Sequence, residues 1–410
     1  MVKFRFIKLL LVYVLLITSM VISQRKDESE YKIKFSGYIN WTAVYDSRQT
    51  VCLREGHFLL FPANKVFDIN GNDINDNDNL NMLAIQTRLN TRIDGPEVLG
   101  AKPTGFIEAE FFGTAESDVN GFRLRHAYLN LDWGSTSLLV GQTWHPMFIA
   151  EAFPQVISFN TGVPFQPFSR NPQIKLSHRL SNTTVSITLS SQRDFTSLGP
   201  SGATSAYLRN SGLPAVNINV QSKFQNVLFG GGLDFKTITP RIVTSQNVAA
   251  DEKISSLSGL AYLKYSDSHL SFIAQGVYGQ NLSDLMMLGG YAVKNTEPTT
   301  GREEYMNVNV YSVWTDLTYG KDLQPGIFIG YSKNLGADEI VSGPIFSRAS
   351  NIGELLRISP RILYSKGKLK LGTEIEFTKA FYGLPDNKAK IQNKIGVLNT
   401  RVLIGMFYII

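Results

Sequence analysis

The chain has 410 residues, 43% of them hydrophobic and 18% charged against a typical ~25%, a balance that excludes a disordered chain. Its single cysteine, Cys52, excludes a disulfide framework, a CxxC redox pair and a cysteine-rich zinc site. The formal net charge of +6 falls to +3 once Lys3, Arg5 and Lys8 of a leader-like N-terminus are set aside, and with no Lys/Arg cluster interleaved with aromatics, nucleic-acid binding gains no support.

Residues 1–23 read as a signal peptide: a basic start, an apolar run from Leu9 to Ile17, then small and polar residues up to Ser23. The run is short for an uncleaved anchor helix, and no cysteine lies near the cleavage region to accept a lipid. Beyond it no stretch approaches the ~18 to 20 apolar residues of a membrane-spanning helix. After a short polar segment at 24–30 the pattern turns to period two. Tyr31, Ile33, Phe35, Gly37, Ile39, Trp41, Ala43 and Tyr45 alternate with Lys32, Lys34, Ser36, Asn40, Thr42 and Asp46, as in a strand with one greasy and one wet face. Helical periodicity is absent from the mature chain.

In chain order, strands are expected at about 31–45, 80–93, 105–113, 122–133, 137–144, 173–180, 183–192 and 214–224. Eight more are expected at 227–237, 256–265, 269–279, 305–319, 325–332, 354–364, 369–380 and 397–410. Short connectors, such as 134–136, 181–182, 225–226 and 266–268, alternate with long ones, such as 46–79 and 145–172. A soluble sandwich has comparable loops at both ends, whereas outer-membrane barrels pair short periplasmic turns with long outer loops. The length alone suggests two or three domains, but this alternation makes 31–410 one all-β, closed antiparallel transmembrane barrel of about sixteen strands. Tyr31, Tyr45, Trp133, Trp144, Tyr265, Tyr319, Tyr364 and Tyr408 lie near strand ends, as an interfacial aromatic belt requires; ordinary β-propensity enriches the same residues.

The leader, the strand that ends at Ile410, and the runs FRLRHAY at 122–128, GQTW at 141–144, FSRNPQ at 168–173 and RISPR at 357–361 resemble the trimeric outer-membrane porins, in particular the DcaP-like branch. The resemblance implies a sixteen-stranded barrel, a homotrimer, and a third outer loop folded into the lumen. That loop, 145–172, holds Phe148, Phe153, Phe159, Phe165 and Phe168 with Pro146, Pro154, Pro164 and Pro167, but only Glu151 and Arg170 as charges, a composition that favours packing over solvation. The readings open to it are a constriction against the inner wall, a cap on the mouth, or a subunit contact.

Strand phase places Lys34, Arg88, Arg92, Arg357, Arg361, Lys370 and Arg401 on the polar face with Glu108, Glu110, Glu374 and Glu376. The basic excess suggests a weak anion preference, unless pairs such as Arg88 or Arg92 with Glu108 or Glu110 cancel it. Arg123 and Arg125 share the phase of Ala127 and Leu129, so either a bulge turns them inward or they lie at an interface. The Asp/Asn-rich run 68–79 offers oxygen ligands for calcium but lacks the glycine and the final glutamate of an EF-hand, and reads better as a solvated loop.

The five histidines show no HExxH spacing, and no GxSxG is present; a barrel lipase would need His126 beside a serine on the neighbouring strand. The sequence therefore points to a cofactor-free outer-membrane porin for passive diffusion of small hydrophilic solutes or ions. Its partners are expected to be outer-membrane lipid, lipopolysaccharide and further copies of itself as a homotrimer. The alternative from another class is a non-conducting barrel acting as a surface receptor, adhesin or scaffold.

Overall fold

A computed structural model describes residues 31–410; the expected leader at 1–23 and the segment 24–30 lie outside the described residues. The alternating sequence forms β1 Lys32–Asp46, β2 in two pieces (Asn79–Leu83 and Arg88–Asp94), β3 Lys102–Glu110, β4 Arg123–Asp132, β5 Thr136–Trp144, β6 Arg170–Leu180, β7 Thr183–Ser190 and β8 Ala215–Phe224. It continues with β9 Val227–Ile238, β10 Ile254–Ser266, β11 Leu270–Gln280, β12 Glu303–Tyr319, β13 Leu323–Gly336, β14 Ile352–Lys366, β15 Leu369–Pro385 and β16 Ile391–Ile409. Each pairs antiparallel with its sequence neighbour, and β16 closes on β1 in a register running from Tyr38↔Ile409 to Asp46↔Arg401. The result is a closed sixteen-stranded antiparallel barrel.

Burial is inverted relative to a soluble protein. Along the outer half of β1, Ile39 (55%), Trp41 (38%) and Tyr45 (38%) are exposed, while Asn40, Thr42 and Asp46, which alternate with them, are buried. On β15, Ile375 and Phe377 face out and Glu374, Glu376 and Thr378 face in. Lipid is the solvent that satisfies such an outer face, and the closed ladder leaves no strand edge unpaired within it. Tyr31, Trp133, Tyr319, Tyr364 and Tyr408 are exposed at the periplasmic ends. Trp144 departs from the expected belt: its ring stacks on Phe148 at 3.9 Å between centroids, inside the barrel, because it sits opposite the inward-facing Arg170.

β12, β15 and β16 run to 17, 17 and 19 residues, longer than the ~9 to 11 needed to cross, so their outer ends stand above the membrane. Two short strands in the outer loops, Gly290–Thr296 and Ile345–Ser347, pair with each other, and the first also pairs with the β12 extension, building a rim that the sequence pattern did not announce. The six-residue helix α1, Ala206–Ser211, packs Tyr207 and Leu208 against Ile238, Ile254 and Tyr291 in this rim.

The interior is filled from above. The third outer loop spans residues 145–169, since Arg170 already belongs to β6 and not to the loop as the sequence suggested. It crosses the lumen: the Gln155 amide donates to Ser271 of β11 (3.5 Å), the Ser312 hydroxyl of β12 donates to the Phe165 carbonyl (2.8 Å), and the backbone amides of Ile157 and Ser158 donate to Glu374 of β15 (2.5 and 3.1 Å). The first outer loop, a long connector with a solvated Asp/Asn-rich run on the sequence pattern, also sends a hairpin inward. Thr50–Leu53 pairs with Phe58–Pro62, and Phe58, Leu59, Leu60 and Phe61 are all buried. Phe58, Leu60 and Phe61, with Leu282, Leu285, Met286 and Met287 of the sixth loop, join inward-facing Leu260, Ile273, Trp314 and Phe328 of β10–β13 and Leu83, Leu355 and Tyr382 of β2, β14 and β15 in one apolar cluster that fills the upper lumen.

Candidate permeation site in the barrel lumen

The largest charged group lines the β2–β6 wall of the lumen. Arg88 of β2, Arg123 and Arg125 of β4 and Arg170 of β6 converge on Glu108 and Glu110 of β3 and on Asp194 of the fourth outer loop. Glu110 accepts from Arg88 (2.8 Å) and Arg123 (2.9 Å) and also from Arg125, while Glu108 accepts from Arg125 (2.6 Å). Asp194 bridges Arg123 (3.0 Å) and Arg170 (2.6 and 2.9 Å). The question of Arg123 and Arg125 is settled by a bulge: β3 residue Glu108 faces His126 and Ala109 faces Leu124, so Arg125 is the extra residue and both arginines turn inward. Aromatic faces fix the guanidinium planes, with Arg123 over Phe112 (5.1 Å) and Arg170 over Trp144 (4.8 Å).

A second group lies on β14–β16 and β1. Arg401 forms a two-pronged pair with Asp46 (2.6 and 2.9 Å), and Arg361 pairs with Asp316 (2.8 Å). Arg357 donates to the carbonyls of Val163 in the third loop (2.8 Å) and Leu60 in the inward hairpin (3.1 Å) and to Thr378 (2.8 Å), so one side chain ties both loops to the wall. Beside it Glu376 accepts from the Asn160 amide (3.1 Å) and Glu374 holds the loop backbone. The loop tip is seated sterically as well: Gly372 and Gly405, paired across β15 and β16, leave a notch for Ile157, and a Cβ on Gly405 would come within 2.9 Å of its Cγ2. A third group, Lys236 with Asp284 and His145 with Asp234 (3.5 Å), closes the β9 side.

The sequence-derived candidates thus separate. Arg88, Glu108, Glu110 and Arg170 meet in the first group, and Arg357, Arg361, Glu374, Glu376 and Arg401 in the second. Lys34, Arg92 and Lys370 stand toward the periplasmic mouth, away from both; Lys34 lies opposite Arg92, whose nearest acid is Asp94 (2.9 Å) and not Glu108 or Glu110. Glu151 reaches the wall near the periplasmic turns, where it accepts from Gln221 (3.0 Å) and lines a cavity of about 300 Å³ with Lys223 and Lys264. Asp46 stands on the wet face where the alternation put it, but its pairing with Arg401 was not foreseen, and Asp194, Asp234, Asp316, Lys236 and Asp284 were missed. Asp234, Asp316 and Lys236 stand in phase on strand faces and were within reach of the alternation, whereas Asp194 and Asp284 lie in loops and gave no such signal.

The networks are closely packed: Arg125 is 2% exposed, and Glu110, Asp316 and Arg401 are buried against their ion-pair partners and neighbours. In the first outer loop, Asp68 turns its carboxylate onto the backbone amides of Asn70 and Asn72 (both 2.8 Å), and these bonds, Asn72 foremost, hold it below its ordinary titration range. Asp73 pairs with Arg48 (3.1 Å). Among the described residues no three His, Cys, Asp or Glu side chains gather as a metal site. The hydroxyl beside His126 is that of Thr143 (3.0 Å); Ser137 of β5 sits at the far end of the strand, opposite Asp132.

An apolar outer face, a closed sixteen-stranded ladder and a charged, loop-filled lumen define an outer-membrane β-barrel protein. Residues 19–192 match the family model of the DcaP outer membrane protein. The outer membrane channel DcaP of Acinetobacter baumannii superposes with a TM-score of 0.69 at 16% identity, covering 95% of this chain and 100% of that one. The trimer form of OmpT from Vibrio cholerae gives 0.56 at 9% identity over 93% and 99%, and OmpF of Salmonella typhi 0.50 at 12% over 92% and 98%. At such identities these likenesses speak for the fold. No curated protein matches the chain in sequence.

Proposed function

We propose that this protein is a passive outer-membrane channel for small hydrophilic solutes and ions, with its path along the charged side of the lumen. The observation that carries this reading is the Arg88–Arg123–Arg125–Arg170 group paired with Glu108, Glu110 and Asp194 along one wall of the lumen. Ionised side chains cost several kcal/mol to take out of water, and a barrel that served only as a scaffold would seal its core with apolar packing instead. The apolar cluster, with Arg357, Glu374 and Glu376, holds the third loop, and the charged β2–β6 wall supplies polar partners for a solute shedding its hydration shell.

The pore-lining residues on this reading are Arg88, Glu108, Glu110, Arg170, Arg357, Arg361, Glu374, Glu376 and Arg401 at the constriction, with Lys34, Arg92, Lys370 and Glu151 toward the periplasmic side. Four guanidinium groups against three carboxylates in the first group leave a net positive field, which supports a weak anion preference. Assembly as a homotrimer is supported by the trimeric Vibrio cholerae neighbour, and contact with lipid and lipopolysaccharide by the apolar outer face. The dense packing of the first, third, fourth and sixth loops favours a second reading, a non-conducting receptor, adhesin or scaffold. Planar-bilayer recording of purified protein separates the two: discrete current steps support the channel, and a folded, inserted barrel that never conducts refutes it.

A further inference from the structure

Asp194 differs in origin from the other acids of the arginine group. Glu108 and Glu110 belong to the wall strand β3, whereas Asp194 arrives from the outer side in the fourth loop and closes the gap between Arg123 and Arg170 with one oxygen on each. Its position is set by the backbone. Ser191 donates to the Pro172 carbonyl (2.9 Å), Asp194 to the Arg170 carbonyl (3.2 Å), and the Arg193 amide to the Asn171 side chain (3.3 Å), prolonging the β6–β7 pairing. Phe195 packs against Phe58 and Phe168, and Gln192 donates to Asp284 (2.8 Å). The carboxylate can therefore be removed while its frame stays.

The group it joins is not saturated. Arg123 and Arg170 are each more than nine-tenths buried, and three guanidinium nitrogens, Nε of Arg88, Nε of Arg123 and Nη1 of Arg170, are buried with no hydrogen-bond partner. A buried N–H left unpaired carries its full desolvation cost, and charged donors recover most of it from an anionic acceptor. The spacing spanned by Asp194, one oxygen to each guanidinium, suits any small tetrahedral or planar oxyanion equally well.

We propose that Asp194 is a tethered counter-ion occupying an oxyanion site built from Arg123 and Arg170, and that this carboxylate determines the ion selectivity of the lumen. A solute oxyanion enters by taking the place of Asp194, and the presence of that carboxylate keeps the anion preference weak. The conductance side of the inference rests on the channel reading; the binding side does not.

Asp194→Asn keeps the shape and removes the charge, while Asp194→Glu keeps the charge. Sulfate is titrated calorimetrically into the detergent-solubilised full-length barrel, and reversal potentials are recorded in a potassium chloride gradient. One unit charge at about 4 Å in water is worth roughly fivefold, so Asp194→Asn should bind sulfate about fivefold tighter and raise the anion-to-cation permeability ratio by a similar factor, with Asp194→Glu like wild type. Arg170→Gln in the otherwise wild-type barrel, which removes a donor of the site and leaves Asp194 in place, should abolish sulfate binding and so decides the matter if Asp194→Asn folds poorly; unchanged sulfate affinity in a folded Arg170→Gln barrel overturns the proposal. A folded Asp194→Asn barrel with unchanged sulfate affinity overturns the proposal. A wild-type barrel that never conducts overturns the channel reading while the sulfate titration still decides this one.

Discussion

Replacing Arg357 by methionine tests whether the loops in the lumen are held by the wall or merely fill it. Arg357 is 1% exposed and donates to carbonyls in two separate loops, Val163 and Leu60, as well as to Thr378. Methionine retains the apolar length beside Phe165 and removes every donor. A hydrogen bond to a charged group contributes ~1.5 kcal/mol at the low end, so losing the Val163 contact weakens attachment of the third loop by about 1.5 kcal/mol, and losing the Leu60 contact weakens that of the hairpin by a similar amount. At a factor of ten per ~1.4 kcal/mol, the population of detached third loop rises roughly tenfold. Hydrogen–deuterium exchange over 156–169 reads this directly, because amides in a loop exchange through local opening and not through dissolution of the barrel. Exchange in that segment should accelerate by about one order of magnitude, exchange in β14 and β15 should stay as in wild type, and single-channel records should show larger, noisier steps. Exchange over 156–169 within a factor of about two of wild type would refute the reasoning, since the Val163 carbonyl would then not depend on Arg357.

Filling the notch under the loop tip tests the same seating by steric means. Gly372→Val places a Cβ against Ile157, lifts the tip from β15 and β16, and should raise conductance without altering the heat-modifiable gel mobility of the folded barrel; unchanged conductance would show that the tip does not narrow the path. The lone thiol offers a test without any scaffold mutation. Cys52 lies on the inward hairpin and is partly accessible, so a charged methanethiosulfonate reagent added from the outer side should lower the current, and Cys52→Ser should be indifferent to it. A labelled wild-type protein with full current would place the hairpin outside the conducting path.

Much of this architecture was legible from the sequence because it is local. A period of two marks each strand, one residue of slip would carry its whole apolar set into the lumen, and short connectors force neighbouring strands antiparallel. Arg88, Glu108 and Glu110 could be placed inside by phase alone. Arg123 and Arg125 could not, because a bulge breaks the phase on which the inference depends. The inward hairpin left one signal in an otherwise polar loop, the run FLLF at 58–61, four consecutive apolar residues where solvation would favour none.

The sequence by itself determined a closed barrel with lipid outside, polar groups inside and an apolar third loop, since alternation, connector length and composition are properties of neighbouring residues. Only the tertiary structure decided which charges meet. Arg357 reaches a carbonyl 297 residues away and Asp194 bridges two strands from a third element, and such contacts depend on where loops come to rest once the ring has closed. Loop closure over such separations is specified by packing against distant surfaces and leaves no periodic mark on the chain.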